Sequence, residues 1–382
     1  MKIIFDGMPL INAGSGIGQY TFNLLWQFNR LGSRNEYYMC GVNNFIRKVN
    51  CAHIANETEY GEILERLTVR IPFPFKKITR ILMKRYTHTA IKFLDADLFW
   101  GTGFFGHFNK SFKTIITIHD MAYKHYPETI HQPTYRELIG KLQDHAQKSH
   151  AIIAVSNSTK RDIVHYLGVP PEKVWVIYNG VNSRFCQIRN QGLLNTVKLK
   201  YRLPEKFILF VGTLEPRKNI IGLIEAFKKL TLDPHFKYQL VIVGSKGWGY
   251  KPIFSTAESL GIKDRIIFAG YVPGQDLPAI YNLAGIFVYP SFYEGFGIPV
   301  VEAMACGTPV ITSNVSSLPE VGGDAVLYVD PKNIEEISTS IKGALSDENL
   351  SQTLREKGVA RSKEFSWEYT ARQTLDVFKK VM

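Results

Sequence analysis

The stretch from Tyr289 to Ile311, Tyr-Pro-Ser-Phe-Tyr-Glu-Gly-Phe-Gly-Ile-Pro-Val-Val-Glu-Ala-Met-Ala-Cys-Gly-Thr-Pro-Val-Ile, constrains the fold more than any other part of the chain. The apolar run from Gly285 to Tyr289 reads as a buried strand. A loop with Glu294 and a Gly-Phe-Gly turn follows it. Pro299 falls at the start of a helix, where its missing N–H is not needed. This reading puts Glu302 in the first helical turn, ends the helix at Gly307 and begins another apolar strand after it. A helix N-terminus presents unpaired N–H groups and a partial positive charge, so it holds phosphate well. Two carboxylates beside it suit a ligand that is anionic at one end and rich in hydroxyls at the other. A sugar nucleotide has that character.

Strands alternate with helices along the rest of the chain, which predicts an α/β protein with parallel sheets. Apolar strands begin at Lys2, Leu98, Lys113, Ala151 and Val174, and a second series begins at Phe207, Tyr238 and Arg265. The 382 residues, 45% of them hydrophobic, are enough for two domains with cores of their own. Between Ser183 and Pro204 the apolar periodicity lapses, so we expect an N-terminal domain over 1–185, a linker over 186–203 and a second domain over 204–364.

The opening Met-Lys-Ile-Ile-Phe-Asp reads as a strand and not as a leader, and no run approaches eighteen apolar residues. Four scattered cysteines form neither a disulfide framework nor a zinc pattern, and a reducing cytoplasm is the expected setting. The net charge of +12 fits a phosphorylated substrate or an anionic membrane face. No nucleic-acid-binding signature accompanies it, so no nucleic-acid partner is expected.

Other stretches offer chemistry. Gly14, Gly16 and Gly18 precede a helix from about Gln19 to Leu31, but Gln19 and the lag behind the first strand break a dinucleotide fingerprint. The glycines instead mark a loop at a strand end, where ligands lie in such sheets, or a plain turn. Residues 75–86 combine apolar and basic side chains and fit either an anionic membrane surface or an ordinary surface helix. Asp95 and Asp97 form a D-x-D pattern, but they precede a strand where a metal site needs them to follow one. They read as a helix-to-strand turn. His119 and Asp120 close a buried strand. Arg217 and Lys218 stand at a strand-to-helix corner, where positive charge complements phosphate. The end of the strand after Arg265 suits backbone recognition of a base.

The two tandem α/β series, Glu294 and Glu302 eight positions apart, and Gly-Thr-Leu-Glu-Pro-Arg-Lys-Asn at 212–219 together resemble the GT-B glycosyltransferases of family 4, over nearly the whole chain. The resemblance implies two Rossmann-like parallel-sheet domains facing across a cleft, with the tail 365–382 crossing back to the first domain. It implies a retaining, metal-independent enzyme without a cofactor. Glu294 would contact the donor sugar and Glu302 the ribose. Amides around Phe296, Gly297, Ile298 and Val300 would face sugar and phosphate, and Arg217 and Lys218 the leaving diphosphate. Gly16 and Gly18 would close on the phosphates, His119 would sit over the sugar, and Tyr271 and Val272 would border the base. His119-Asp120, the Arg217 loop and Gly-Trp-Gly-Tyr at 247–250 look most like bacterial mannosyltransferases of polysaccharide assembly. The expected donor is therefore GDP-mannose and the acceptor a glycan or undecaprenyl-linked oligosaccharide, with work done at the inner face of the cytoplasmic membrane. UDP-sugars, a sugar-nucleotide 2-epimerase of the same fold and a non-catalytic sugar-binding scaffold are the rival readings. A hydrolase using the two glutamates as acid and nucleophile is weaker, because Glu302 lies beside a phosphate site.

Overall fold

The computed structural model describes residues 1–12, 15–40, 47–49 and 94–382. The basic segment 75–86 and Gly14 lie outside the described residues. The chain divides into two compact units. One holds Met1–Met121, Arg136–Gly180 and Trp367–Met382; the other holds Ala122–Tyr135 and Val181–Ser366.

The first unit is built on β1 (Lys2–Asp6), β2 (Glu36–Cys40), β3 (Arg47–Val49), β4 (Leu98–Gly101), β5 (Lys113–Ile118), β6 (Ala151–Ala154) and β7 (Val174–Val176). Their order in the sheet is β3-β2-β1-β4-β5-β6-β7. All neighbours run parallel except β2 and β3. Every residue of β4 and β6 is buried, as continuous apolar runs covered on both faces must be. The strand order reverses between β1 and β4, and ligand crevices form at such a switch point.

The helix after β1 spans Gly16–Arg30 and so starts three residues before the predicted Gln19. Gly16 and Gly18 are therefore first-turn helical residues, not a free loop. The Ser15 side chain caps them by accepting from the Gly18 N–H at 3.1 Å. Glycine disfavours helix by roughly 1 kcal/mol, and this cap offsets about that much. Asp95 and Asp97 form the expected turn before β4. Asp97 Oδ2 accepts from the Lys2 amide at 2.7 Å and its own N–H donates to the Lys2 carbonyl at 3.0 Å, so this carboxylate registers β1 against β4.

The second unit is built on β8 (Phe207–Val211), β9 (Gln239–Val243), β10 (Ile266–Gly270), β11 (Ile286–Tyr289), β12 (Val310–Ser313) and β13 (Leu327–Val329). The order is β10-β9-β8-β11-β12-β13, with every pair parallel. Here the reversal falls between β8 and β11, both wholly buried. The span read as a linker, 186–203, is part of this unit and contains a helix, Gln191–Lys200. Only Leu194 and Val197 are buried on it, too sparse a stripe to read as periodicity. Lys200 and Tyr201 hold it in place through Asp276, at 2.6 and 2.7 Å. The excursion Ala122–Tyr135 also belongs to the second unit, although its flanks lie in the first. His125 stacks on Tyr293 with ring centres 4.9 Å apart, and Tyr126 stacks on Phe292 at 5.6 Å.

The last helix, Trp367–Val381, packs in the first unit against the helix Gly16–Arg30. Its fully buried Phe378 meets Trp100 at 5.5 Å and Phe28 at 6.1 Å between ring centres. Replacing Phe378 with Ala should cost the first unit about 3–5 kcal/mol, read as a lower urea midpoint. A midpoint within error of the parent would show that the helix adds nothing to that core.

Candidate functional site

The loops that follow β8 and β11 leave adjacent strands at the switch point of the second sheet. The first loop tightens into a 3-10 turn, Pro216–Lys218, and Asn219 then enters the left-handed region at φ 53° before the helix Ile220–Thr231. Asn219 tolerates that geometry, and its Nδ2 donates to the Pro331 carbonyl at 2.6 Å. The Phe292 amide donates to the Arg217 carbonyl at 3.0 Å, which joins the two loops.

Arg217, Lys218 and Glu294 meet here. Lys218 Nζ lies 2.6 Å from Glu294 Oε1, and Arg217 Nη1 lies 3.0 Å from Glu294 Oε2. Arg217 Nη1 also donates to the Tyr293 carbonyl at 2.6 Å, and its Nη2 reaches Glu215 Oε1 at 2.7 Å. The Tyr289 hydroxyl, at the end of β11, accepts from Lys218 Nζ at 2.8 Å and donates to Glu294 Oε1 at 3.0 Å. The Glu294 amide donates to Ser316 Oγ at 3.0 Å, and the Ser317 hydroxyl donates towards the Glu294 and Phe296 carbonyls at 2.9 and 3.0 Å.

Burial raises the Glu294 pKa, but the Arg217 guanidinium and the Lys218 ammonium outweigh it and hold the carboxyl at about 2. Burial and the neighbouring Arg217 push Lys218 below the ordinary lysine value, and Glu294 pulls it back. The corner predicted from sequence as a pair of cations aimed at phosphate is thus a buried ionic cluster that already contains Glu294.

The next helix spans Ile298–Ala305 and is entered through Gly297 at φ 102°. The positive φ calls for glycine there, and a Cβ would lie 2.8 Å from Leu318 Cδ2, so the end of that leucine would also have to shift. Because the helix begins at Ile298, Glu302 falls in its second turn and not in the predicted first. The Val300 amide donates to the Gly297 carbonyl at 3.0 Å, so it is not available to a ligand as expected. Among the described residues the Gly297 and Ile298 amides have no such partner. Phe296 is buried with its ring edge-on to Phe365 at 5.5 Å.

Glu302 lives in a different environment from Glu294. Its Oε2 accepts from the Tyr281 hydroxyl at 3.1 Å. Burial lifts its pKa to about 7, against the smaller opposing effects of Tyr281 and Arg184. At the end of β10 the Tyr271 side chain is largely exposed and Val272 is buried.

His119 belongs to the first unit, directly after β5. Its Nε2 lies 2.7 Å from the Thr102 carbonyl, an obligate acceptor, so Nε2 carries the proton. Burial lowers its pKa and keeps the ring neutral. Tyr20 meets the imidazole edge-on at 4.8 Å.

Sequence reasoning missed Glu215, Tyr289, Tyr281, Ser316 and Ser317. Glu215 and Tyr289 stood inside stretches already singled out, but nothing in spacing shows which carboxylate a cation will choose. Ser316 and Ser317 follow β12 and carry no motif.

A doubly wound sheet with an ionic cluster at its switch point, on a chain of two such units, has the architecture of the two-Rossmann class. The chain belongs to the GT-B glycosyltransferases of family 4. Residues 14–185 match Glycosyltransferase Family 4, and residues 195–361 match Glycosyl transferases group 1. O-antigen chain mannosyltransferase B of Escherichia coli is 31% identical over 99% of this chain and 100% of its own. The serotype-specific mannosyltransferase WbdA of Escherichia coli is 34% identical over 71% of this chain but only 34% of its own length. Sucrose-phosphate synthase from Thermosynechococcus elongatus shares the fold with a TM-score of 0.77, at 20% identity over 100% of this chain and 99% of its own. Anabaena HepE, solved with UDP and glucose, gives a TM-score of 0.73 at 19% identity over 100% of each chain. The protein is therefore a glycosyltransferase. No helix among the described residues is long and apolar enough to cross a membrane.

The two glutamates make opposite stability predictions. An unfolded glutamate ionises near 4.5 while folded Glu302 keeps its proton to about 7, so this group costs stability as pH rises from about 4.5 to about 7. Glu294 contributes stability above 4.5 that is lost as pH falls towards about 2. Glu302→Gln should therefore gain more over the parent in urea at about pH 8 than at about pH 5. An equal difference at both would mean that Glu302 titrates normally.

Proposed function

We propose that this glycosyltransferase moves mannose from GDP-mannose, with retention, onto a glycan or undecaprenyl-linked acceptor in the assembly of an O-antigen-type polysaccharide. The buried cluster of Arg217, Lys218 and Glu294 at the switch point carries this reading. The sugar and the polymer are drawn from the full-length likeness to O-antigen chain mannosyltransferase B. Glycosyl transfer builds positive charge on the sugar and negative charge on the departing diphosphate. Arg217 and Lys218 meet that negative charge, as oxyanion donors do elsewhere. The Gly297 and Ile298 amides add helix N-terminal dipoles to the same anion. Glu294, ionised and held from three sides, accepts from the sugar's hydroxyls. Glu302 accepts from the ribose, and Tyr271 and Val272 border the base.

In this proposal no metal or cofactor takes part, because the two cations fill the electrostatic role. A leaving-phosphate oxygen takes the acceptor's proton, so no side chain serves as general base. With a lipid-linked acceptor the enzyme works at the inner face of the cytoplasmic membrane, which the basic sequence 75–86 suits.

Arg217→Ala or Lys218→Ala should lower kcat about 100- to 1000-fold at saturating donor. Full rate in either variant would remove the leaving-group role. GDP at a hundredfold excess over its Kd should stabilise the fold by about 2.7 kcal/mol, whereas UDP should give less. A larger shift with UDP would replace the donor, and conversion of the donor without acceptor would point to an epimerase. Activity unchanged by a chelator is expected.

A further inference from the structure

The ionic cluster is balanced before any ligand arrives. Arg217 and Lys218 supply two positive charges, and Glu215 and Glu294 supply two negative ones. The two anions are not equivalent. Glu294 is buried, bonded on both oxygens, and supported by Tyr289. Among the described residues the Glu215 carboxylate has one ion-pair contact, Arg217 Nη2 at 2.7 Å, from a side chain that is 25% exposed. Arg217 itself is 13% exposed; its Nη1 is engaged by Glu294 and the Tyr293 carbonyl, and its Nη2 is the nitrogen bonded to Glu215, the more exposed of the two carboxylates. Glu215 stands just before Pro216, in extended backbone, with its Cβ near the Gly247 loop.

We propose that Glu215 is a built-in counter-anion that occupies the phosphate-facing edge of Arg217 and that the donor's diphosphate must displace. This rests on the reading of Arg217 as a diphosphate ligand. A guanidinium offers a planar fork that carboxylate and phosphate fill in the same way, so the two compete for Nη2. The partly exposed Glu215 carboxylate gives way because water can take it up, whereas Glu294 cannot leave its enclosure. Displacement converts a neutral cluster into one with a net positive charge when the dianion arrives. After transfer, Glu215 returns to Arg217 and helps expel the nucleoside diphosphate. It is a positioning residue that sets affinity for the leaving group and the rate of product release.

The test uses the full-length protein, with GDP and UDP as separate probes in calorimetry and GDP-mannose in kinetics. Removal of the competing anion should tighten nucleoside diphosphate binding by about five-fold in Glu215→Ala, and by less in Glu215→Gln, which still offers Arg217 an acceptor. KM for the donor should fall, and kcat should fall with it as product release slows. A residue that merely held Arg217 in place would give the opposite order: Ala would weaken binding and Gln would preserve it. That order, or unchanged affinity in both variants, overturns the proposal. Arg217→Ala in parallel separates the two layers. If it binds both nucleotides as the parent does, the phosphate reading of Arg217 fails first and Glu215 loses its role with it.

Discussion

A carboxylate removed from water must be paired, and a cation removed with it must be paired too, or each costs several kcal/mol. Glu294 satisfies this condition for Arg217 and Lys218 at once, with contacts of 3.0 and 2.6 Å. The three charges come from two loops, and the cluster ties one loop to the other. The Arg217 guanidinium also takes the Tyr293 carbonyl, and its own carbonyl accepts from Phe292, so backbone follows side chain. Removing one partner of a buried pair typically costs about 3–5 kcal/mol, mostly as a charge left stranded. The cluster therefore fixes the loop geometry as much as it prepares the chemistry.

The sheet topology decides that such a cluster can exist. In the order β10-β9-β8-β11-β12-β13, the strands β8 and β11 are neighbours although 74 residues lie between Val211 and Ile286 (286 − 211 − 1). Their following connections diverge to opposite sides, which opens a gap at their carboxyl ends. Side chains from both loops fill the floor of that gap, with Tyr289 closing it from the strand below. Ser313, Ser316 and Ser317 then tie the third neighbour, β12, to the same loop through short hydrogen bonds. The placement of the ionic groups is thus rigid because three parallel strands, each with a wholly buried core, anchor it.

Most of the fold could be read from the sequence, because parallel strands covered on both faces leave continuous apolar runs. The family and the glycosyltransferase activity could be read from the Glu294–Glu302 stretch and the Arg217 loop. What was lost has physical causes. The helix Gln191–Lys200 buries only two apolar side chains, so its stripe vanished into an apparent linker. The first turn at Gly16 was hidden because glycine argues against helix, and only the Ser15 cap overrules it. Glu302 was placed one turn early because Pro299 takes the second helical position and Gly297 sets the entry. The excursion Ala122–Tyr135 has no sequence mark at all, since stacking of His125 and Tyr126 on the Glu294 loop is a long-range contact.

The two glutamates of the motif show how environment, not residue type, assigns roles. Glu294 lies between two cations and is ionised at about 2, so it offers a fixed negative acceptor at any physiological pH. Glu302 accepts from the Tyr281 hydroxyl instead, and burial lifts its pKa to about 7. A group poised there is half protonated near neutrality, and a ligand that donates hydroxyls to it favours the ionised form and displaces the proton. On the proposed reading, ribose binding therefore releases protons at Glu302 while diphosphate binding releases the Glu215 carboxylate from Arg217. The two ends of the nucleotide would each displace something the free protein already holds, a proton at one end and an anion at the other. Binding is weakened by both exchanges, and an enzyme that must let its nucleoside diphosphate go after every transfer gains turnover from that weakness.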